Sequence, residues 1–323
     1  MDKKIREEVL DFYSEAATKP QGELCCPVKY DASEVAHIPK EVFEISYGCG
    51  SPVGFADLKT GETVIDLGSG GGVDVFIAAK KVGEKGRVIG IDMTEAMTKK
   101  AKASAIEVTK RLGFNNIEFK EGFLEDVPLP DNTADCVISN CVINLSADKT
   151  KVVKEVLRLL KPNARFCFSD VVAEDEVPKS MQEDKKLWGE CISGALREVD
   201  FLNILKDNGT YGLEIKSREL YRMVDGLRFD SVVINGYKSQ KNSECIYKGH
   251  FAIYNGPFNS VTDDDGHNFP LGVPVEICTD TLAKLSAPPY ARFFSIIKDG
   301  KIEEVSCSPE PNPDKSTDTN GCC

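Results

Sequence analysis

The sequence predicts an α/β fold, in which a doubly wound, mostly parallel sheet is followed by a smaller β-rich domain. Apolar strand-like runs alternate five times with helix-like runs between residues 63 and 172, as they do in parallel sheets joined by right-handed crossovers. The first strand stops in a glycine-rich turn. Beyond residue 240, short β-rich segments separated by Gly, Pro and Asp replace the alternation. We therefore predict a sheet domain over residues 1–240, a β-rich domain over 241–307 and a disordered tail over 308–323.

The chain before the first strand is predicted to be helical and then loop-like. Apolar residues at helical spacing indicate a helix from Ile5 to about Ala17. Adjacent thiols follow in a loop at Cys25 and Cys26. Cys49 stands between two glycines, which predicts a thiol that neighbouring side chains do not shield.

The first strand, Thr63 to Leu67, sets the position of a ligand site. It contains Asp66 and runs directly into Gly68, Ser69 and Gly70. Glycines at such a turn let the backbone approach a ligand at the carboxyl edge of a parallel sheet, where open α/β folds bind their cofactors. The sequence therefore predicts a nucleoside cofactor at this turn.

The second strand, Arg87 to Ile91, narrows the choice of cofactor. It leads into Asp92, at the position from which an acidic side chain bonds a ribose. The dinucleotide fingerprint requires a third glycine where this chain has Val73, so a nicotinamide dinucleotide is disfavoured.

The third and fourth strands end in further candidate residues. Gly122, Phe123 and Leu124 follow the third strand, where the loop borders the nucleoside base in this architecture. Cys136 lies within the fourth strand and is predicted to be a core residue. Cys141 lies at the carboxyl end of the same strand, which places its thiol beside the expected cofactor.

The segments after the fifth strand complete the sheet domain. A helix predicted from Met181 to Leu196 carries Cys191 among small residues. Two strands predicted from Leu213 to Leu220 and from Phe229 to Tyr237 close the sheet in the antiparallel direction.

Composition limits the classes of partner. The formal net charge of −12 disfavours electrostatic binding to nucleic acid or to an anionic membrane, and no apolar run approaches a membrane-spanning length. The charged N-terminus has no apolar signal core, so a cytoplasmic protein is expected. In that reducing compartment the twelve cysteines are not expected to form a disulfide framework.

The cysteine spacing favours a soft ligand over zinc. The chain lacks Cys-x-x-Cys pairs, and its three histidines show no zinc-site spacing. Isolated thiols at Cys49, Cys141 and Cys191, brought together beside the cofactor, would form a three-coordinate sulfur site for a thiophilic centre. Trivalent arsenic fits that description.

Several motifs follow one another between about Phe12 and Leu196. They are Phe12-Tyr13-Ser14, the Cys25-Cys26 region, Tyr47-Gly48-Cys49-Gly50, Asp66-Leu67-Gly68-Ser69-Gly70, Gly90-Ile91-Asp92-Met93, Ser139-Asn140-Cys141-Val142-Ile143-Asn144-Leu145 and Trp188-Gly189-Glu190-Cys191. Together they resemble arsenite methyltransferase, an S-adenosylmethionine-dependent enzyme of the class I methyltransferase superfamily. The cysteine-centred motifs in this order are specific to arsenic methylation, and the terminal Cys322-Cys323 is similar to the cysteine-rich tails of relatives.

The resemblance implies a class I methyltransferase (Rossmann-like) fold, S-adenosylmethionine as methyl donor, and As(III) held by Cys141 and Cys191. It also implies that Cys49 and an N-terminal cysteine join the binding and redox cycle. Cys26 is favoured for that role, and Cys25 competes with it. The implied cofactor contacts are Tyr13, Asp66, Gly68, Ser69, Gly70, Asp92, Met93, Gly122, Phe123, Leu124 and Asn140.

The implied mechanism is direct displacement on arsenite or its thiol conjugates. The arsenic lone pair would attack the sulfonium methyl group in line, without a general base. A cysteine pair would then close to a disulfide and return arsenic to the trivalent state, and thioredoxin or glutathione would restore the thiols. Two alternatives stay open. One is a methyltransferase acting on a carbon, nitrogen or oxygen of a small metabolite, and the other is a non-catalytic arsenite-binding protein.

Overall fold

The computed structural model describes residues 3–18, 30–239, 246–263, 265–298 and 301–302. Cys25, Cys26 and the predicted tail over 308–323 lie outside these ranges. The chain divides into two compact units, Met1–Lys241 and Asn242–Cys323. Within the described ranges, no helix is both long and apolar enough to cross a membrane.

The first unit alternates strands and helices in the predicted order. Its strands are β1 (Thr63–Leu67), β2 (Arg87–Asp92), β3 (Ile117–Glu121), β4 (Ala134–Asn140), β5 (Leu160–Ala173), β6 (Leu196–Arg197), β7 (Thr210–Val224) and β8 (Leu227–Lys238). Its helices are α1 (Lys3–Thr18), α2 (Ala32–Val35), α3 (Lys40–Phe43), α4 (Pro52–Phe55), α5 (Val73–Val82), α6 (Glu95–Leu112), α7 (Lys149–Leu159), α8 (Lys179–Gln182), α9 (Lys185–Gly189) and α10 (Glu198–Asp207). A single 3-10 turn, Ile143–Leu145, follows β4.

The strands form one sheet in the order β3-β2-β1-β4-β5-β8-β7, with β6 pairing beside β5. Strands β1 to β5 are parallel, and β8 and β7 close the sheet in the antiparallel direction, as predicted. From β1 the chain builds outward to β2 and β3 on one side, and then returns to build β4 and β5 on the other. The crevice at the carboxyl ends of β1 and β4 is therefore the switch point at which open sheets bind ligands.

Both faces of the central strands are covered, which gives the sheet two apolar layers. Phe166 and Phe168 of β5 stack with their ring centroids 4.5 Å apart and belong to the layer that includes Val152 of α7. Cys167, between them, belongs to the opposite layer, because successive side chains of a strand point to opposite faces. Cys136 is buried in that second layer, which confirms it as a core residue.

The predicted helix from Met181 to Leu196 is wrong. The segment instead contains α8 and α9, followed by turns that carry Cys191. The side chain of Asp184 accepts hydrogen bonds from the backbone N–H groups of Lys186 and Leu187, so it caps the start of a new, short helix. Cys191 has a φ of 61°, which a right-handed helix cannot contain.

The second unit is built mainly of strands. Among its described residues these are β9 (Tyr247–Tyr254), β10 (Ser260–Thr262), β11 (Asn268–Pro270), β12 (Pro274–Cys278), β13 (Phe294–Lys298) and β14 (Lys301–Ile302), together with the helix α11 (Thr279–Leu285) and a 3-10 turn, Ala291–Phe293. Four strands form an antiparallel sheet in the order β12-β9-β13-β14, and β10 pairs with β11. Tyr254, Phe269, Ile277 and Phe294 are among the buried side chains of its core.

Candidate active site

The turn after β1 holds its backbone in conformations that favour glycine. Gly68, Gly70 and Gly72 have φ values of 70°, 49° and 91°, in the left-handed region that residues with a Cβ disfavour. A Cβ on Gly68 would lie closer than 3.0 Å to the side chain of Val142, whereas a Cβ on Gly70 would meet no atom within 4 Å. The turn is therefore packed tightly at both ends, against Val142 at Gly68 and against Phe119 at Gly72, and faces open space at Gly70 between them.

An open pocket lies at this turn, at the switch point of the sheet. Its empty space, including the mouth, is about 970 Å³. Cys141 lines the pocket. So do all the residues for which a cofactor contact was predicted, namely Tyr13, Asp66, Gly68, Ser69, Gly70, Asp92, Met93, Gly122, Phe123, Leu124 and Asn140. The structure thus brings the predicted set together around a single space.

Four carboxyl groups line the pocket and make it acidic, those of Glu125 and of three aspartates. Asp66 and Asp74 are buried and Asp92 is half-buried. Burial raises the pKa of all three side chains, that of Asp74 to about 6, and the neighbouring Asp74 raises the pKa of Asp66 further. Within the described residues, Oδ1 of Asp74 and Oγ of Ser69 are buried without a hydrogen-bond partner. A ligand that carries a positive charge and hydroxyl groups would satisfy these acceptors.

Asp92 and Asn140 are held in fixed orientations at the pocket. The carboxylate of Asp92 accepts hydrogen bonds of 2.8 Å from the backbone N–H groups of Gly70 and Thr94. The side-chain amide of Asn140 donates to Oδ2 of Asp74 at 2.8 Å, and its Oδ1 accepts from the backbone N–H of Cys49 at 3.1 Å. Asn140 therefore joins the acidic pocket to the segment that carries a predicted arsenic ligand.

The pocket lining also includes an aromatic side chain. The Phe123 side chain is 37% exposed. The guanidinium of Arg6 in α1 lies 4.1 Å from the centroid of the Phe123 ring. Leu124 packs partly against the adjacent apolar layer. An exposed ring beside an apolar side chain suits a flat, aromatic base.

The structure brings Cys49, Cys141 and Cys191 into one buried cluster. The thiol of Cys191 donates a hydrogen bond of 2.8 Å to the carbonyl oxygen of Cys141. Hydrogen bonds with Cys191 and Cys49, together with burial, raise the pKa of the Cys141 thiol well above its usual value. A separate hydrogen bond from the Cys141 thiol lowers the pKa of the Cys191 thiol, but burial and nearby negative groups outweigh it and the net shift is upward. The Cys141 and Cys191 thiols are therefore protonated at neutral pH.

Both Cys141 and Cys191 adopt left-handed backbone conformations, with φ values of 59° and 61°. Such conformations cost a residue with a side chain about 1 to 2 kcal/mol, and they cluster at functional sites. The backbone N–H of Cys141 donates to the carbonyl oxygen of Ser169 at 2.7 Å, and that of Cys191 donates to the carbonyl oxygen of Trp188 at 3.0 Å. These hydrogen bonds hold both thiol-bearing residues in place.

The prediction of an unshielded thiol at Cys49 is wrong, because the residue is only 9% exposed. Its flanking glycines serve close packing instead. A Cβ on Gly48 would lie closer than 3.0 Å to the side chain of Asn140, and a Cβ on Gly50 would lie equally close to Oγ of Ser169. The missing side chains let the segment pack against the end of β4 and the neighbouring part of β5, which places the Cys49 thiol 3.7 Å from Oγ of Ser169.

Helix α1 lies over both the pocket and the thiol cluster. Val9 is buried in the thiol cluster, and Tyr13 lines the pocket. The hydroxyl of Tyr13 donates to the carbonyl oxygen of Gly189 at 3.0 Å, and a Cβ on Gly189 would lie 2.7 Å from the ring of Phe12. Because Gly189 ends α9 just before Cys191, α1 is attached to the segment that carries that thiol.

Two acidic residues lie beside the predicted site residues but were not predicted from the sequence. Asp74, in the first turn of α5, was not singled out. Asp170 was also missed, although a carboxylate oxygen of Asp170 and the sulfurs of Cys141 and Cys191 lie within 4.8 Å of one another. A charged residue inside the apolar run of β5 was the available signal. The predicted fourth thiol, Cys26, and its neighbour Cys25 lie outside the described residues.

The chain is similar to known proteins along most of its length. A family model described as a methyltransferase domain matches residues 58–225, and a model described as a domain of unknown function matches residues 241–318. The arsenite methyltransferase of Aquipseudomonas alcaligenes is 31% identical over 324 residues, covering 91% of this chain and 91% of the relative. The arsenite methyltransferase of Rattus norvegicus is 31% identical over 370 residues, covering 100% of this chain and 97% of the relative.

A solved structure extends the similarity to the fold. The crystal structure of an arsenic(III) S-adenosylmethionine methyltransferase from Chlamydomonas reinhardtii is 33% identical, with a TM-score of 0.64. The match covers 86% of this chain and 98% of that chain. The predicted class I methyltransferase fold is confirmed. By its sequence along nearly the whole length and by its fold, the chain belongs to the arsenite methyltransferase family.

Proposed function

We propose that the chain transfers a methyl group from S-adenosylmethionine to trivalent arsenic held by the thiolates of Cys49, Cys141 and Cys191. One observation carries the proposal, and it is the position of Cys141. This residue belongs to the buried thiol cluster and also lines the pocket at the glycine turn. A substrate bound by the three sulfurs would therefore lie at the edge of the cofactor pocket.

The residues of the pocket suit S-adenosylmethionine. Asp66 and Asp74, with the unpartnered Oδ1 of Asp74, match the ammonium group of the methionine part. Asp92 matches the ribose hydroxyls, and the exposed ring of Phe123 with Leu124 matches the adenine. When bound, S-adenosylmethionine supplies an electrophilic methyl group on a positively charged sulfur.

Arsenic capture follows from the chemistry of buried thiols. Arsenous acid exchanges three hydroxyl groups for three sulfurs, so that an As–S bond replaces each As–O bond and each thiol proton leaves with a hydroxyl group as water. Protonated thiols such as that of Cys141 need no prior ionisation for this exchange. Soft sulfur donors suit a soft metalloid, and thiol conjugates of arsenite would enter by exchange of sulfur ligands.

Methyl transfer then depends on alignment. The arsenic lone pair attacks the methyl carbon as the carbon–sulfur bond breaks, and the electrons of that bond stay on the departing sulfur. No proton is transferred, so the step needs no general base. The chain contributes by fixing the arsenic through three buried sulfurs, and Val9 and Tyr13 of α1 cover the site.

Methylation formally oxidises arsenic to the pentavalent state, so a reduction must follow. We propose that two ligating sulfurs couple to a disulfide and that their two electrons return arsenic to the trivalent state. A further thiol, Cys26 or its neighbour Cys25, would complete the ligand set. Thioredoxin or glutathione would then reduce the disulfide by thiol exchange, in a reducing compartment such as the cytoplasm.

The test is the conversion of S-adenosylmethionine to S-adenosylhomocysteine with arsenite and a thiol reductant, with arsenic species separated by chromatography and detected by mass. We expect methylated arsenicals in proportion to the S-adenosylhomocysteine formed. Tight binding of cofactor and arsenite without turnover would favour a non-catalytic arsenite-binding protein. Cofactor binding without arsenite binding would favour a small-metabolite methyltransferase.

A further inference from the structure

Asp170 is a buried carboxylate with an unusually complete set of hydrogen bonds. Its Oδ2 accepts from the backbone N–H groups of Ile143 at 2.9 Å and Asn144 at 3.3 Å. Its Oδ1 accepts from the side-chain amide of Asn144 at 2.8 Å and from its own neighbour, Val171, at 2.8 Å. Four N–H donors fill the lone-pair positions of the carboxylate, so Asp170 is not free to act as a ligand for arsenic.

These hydrogen bonds hold the segment that carries Cys141. Ile143 and Asn144 belong to the 3-10 turn that begins two residues after Cys141. The residue before Asp170, Ser169, accepts the hydrogen bond from the backbone N–H of Cys141. Two consecutive residues of β5 therefore fix the left-handed Cys141 and the turn that follows it.

The same turn also touches the segment that carries Cys191. A Cβ on Gly194 would lie closer than 3.0 Å to the carbonyl oxygen of Asn144, so the two segments are in contact with no space between them. On the other side, the Cys191 thiol donates to the carbonyl oxygen of Cys141. The position of Asn144, set by Asp170, therefore limits how the two thiol segments approach each other.

Only a carboxylate fits this position. Four N–H donors converge on two oxygens, and an asparagine would turn its own NH₂ group toward two of them. Burial raises the pKa of Asp170 to about 6, and the hydrogen bonds and the charge of the nearby buried Lys149 oppose that shift. The ammonium of Lys149 also donates to the carbonyl oxygen of Ser146 at 3.0 Å, one residue beyond the turn.

We propose that Asp170 is a positioning residue for arsenic capture, which acts through the turn at Asn144 to set the spacing of the Cys141 and Cys191 thiols. The proposal rests on the proposed function, because it takes these two thiols as arsenic ligands. Asp170 itself does not contact the arsenic. Replacing Asp170 should therefore weaken the binding of ligands that need both sulfurs. It should not slow reagents that react with one sulfur.

The experiment compares Asp170→Asn with the wild type, using phenylarsine oxide as a probe. This arsenical forms two As–S bonds and releases one water, so its affinity reports on a pair of thiols. Trp188, the chain's only tryptophan, contacts the thiol segments and gives the fluorescence signal. Iodoacetamide alkylation of Cys141 and Cys191, followed by mass spectrometry, gives the reactivity of each thiol alone. S-adenosylmethionine affinity is measured by calorimetry.

We expect Asp170→Asn to bind phenylarsine oxide at least about tenfold more weakly, because buried N–H donors lose a charged acceptor. Alkylation rates should not fall, and S-adenosylmethionine affinity should stay within about twofold. Asp135→Asn, which removes a carboxylate paired with Lys161 at the start of β4, should change none of these values. Unchanged phenylarsine oxide affinity in Asp170→Asn would overturn the proposal.

A second variant approaches the same contact from the other side and serves if Asp170→Asn does not fold. Gly194→Ala adds a methyl group against the carbonyl oxygen of Asn144 and leaves Asp170 unchanged. It should also weaken phenylarsine oxide binding without slowing alkylation. If Gly194→Ala binds phenylarsine oxide as tightly as the wild type, the contact at Asn144 does not set the spacing of the two thiols. A wild type that fails to bind phenylarsine oxide would instead overturn the proposed function.

Discussion

The thiol of Cys191 donates a hydrogen bond of 2.8 Å to the carbonyl oxygen of Cys141, a residue 50 positions earlier in the chain. The contact joins a turn after α9 to the end of β4, and the backbones of both residues are left-handed. A relaxed loop would not place two cysteines in this way, since each conformation has an energetic cost. The backbone contacts around both residues must therefore hold them in these conformations, and the role of each thiol can be tested residue by residue.

Replacing a single cluster thiol should abolish arsenic methylation. In Cys141→Ser or Cys191→Ser, the rate of methylated arsenical formation should fall by at least about a hundredfold, because a proposed ligand of the reacting arsenic atom is lost. S-adenosylmethionine affinity, measured by calorimetry, should change little. Cys278→Ala removes a buried cysteine from the second unit and should keep full activity. Normal methylation by Cys141→Ser would refute the ligand assignment.

Replacing Cys141 should also reveal the strain at this position. In urea unfolding, Cys141→Gly should be more stable than Cys141→Ala by about 0.5 to 1 kcal/mol, because glycine adopts a left-handed φ at no steric cost but loses more chain entropy on folding.

The same pair of substitutions at Cys136 is the control. Cys136 lies in the extended strand β4, where the order should reverse and alanine should be the more stable. If the backbone of Cys141 were not strained, the alanine variant would be the more stable one at both positions.

The contact between Gly68 and Val142 should couple the glycine turn to the segment after β4. Gly68→Ala should lower stability by about 1 to 3 kcal/mol, since its methyl group would overlap the Val142 side chain, and it should weaken cofactor binding. Val142→Ala should restore part of this loss in the double variant. The strain of a left-handed alanine should remain. A double-mutant cycle of urea unfolding measures the coupling between the two substitutions. If their effects on the free energy of unfolding are strictly additive, the added methyl group does not press on Val142.

Cofactor affinity should depend on pH through the acidic pocket. Burial raises the pKa of Asp74 to about 6, so its side chain is protonated below that pH and carries a charge above it. Affinity for the positively charged S-adenosylmethionine should therefore rise as the pH increases from about 5 to 7, and cofactor binding below pH 6 should release a proton. Calorimetry in buffers of different ionisation enthalpy measures that proton. In Asp74→Asn, the pH profile should flatten.

Much of this site could be predicted because local patterns encode it. The glycine turn after β1 and the acidic end of β2 have short-range signatures, and parallel strands carry such ends to one edge of the sheet. The position of Cys141 at the end of β4 followed from the same logic. The packing role of Gly48 and Gly50 did not, because their neighbours, Asn140 and Ser169, lie far along the chain.

The geometry around Cys191 could not be predicted for a related reason. Helical spacing suggested one long helix from Met181 to Leu196, but the cap at Asp184 and the left-handed Cys191 divide that segment. Asp170 was missed because its partners, Ile143 and Asn144, belong to another loop. Contacts across the sheet, more than residue type, decide what these residues do.

Helix α1 contacts both the cofactor pocket and the thiol cluster, and this affects how many methyl groups the arsenic can receive. Tyr13 lines the cofactor pocket and donates a hydrogen bond to Gly189, while Val9 packs in the thiol cluster, so one helix borders both sites. A second methylation requires spent cofactor to leave and fresh cofactor to enter while the arsenic stays bound. If α1 must move away for the cofactor to exchange, the same movement would uncover the thiols and let the arsenic dissociate. We therefore expect the ratio of dimethylated to monomethylated product to depend on the relative rates of cofactor exchange and arsenic dissociation.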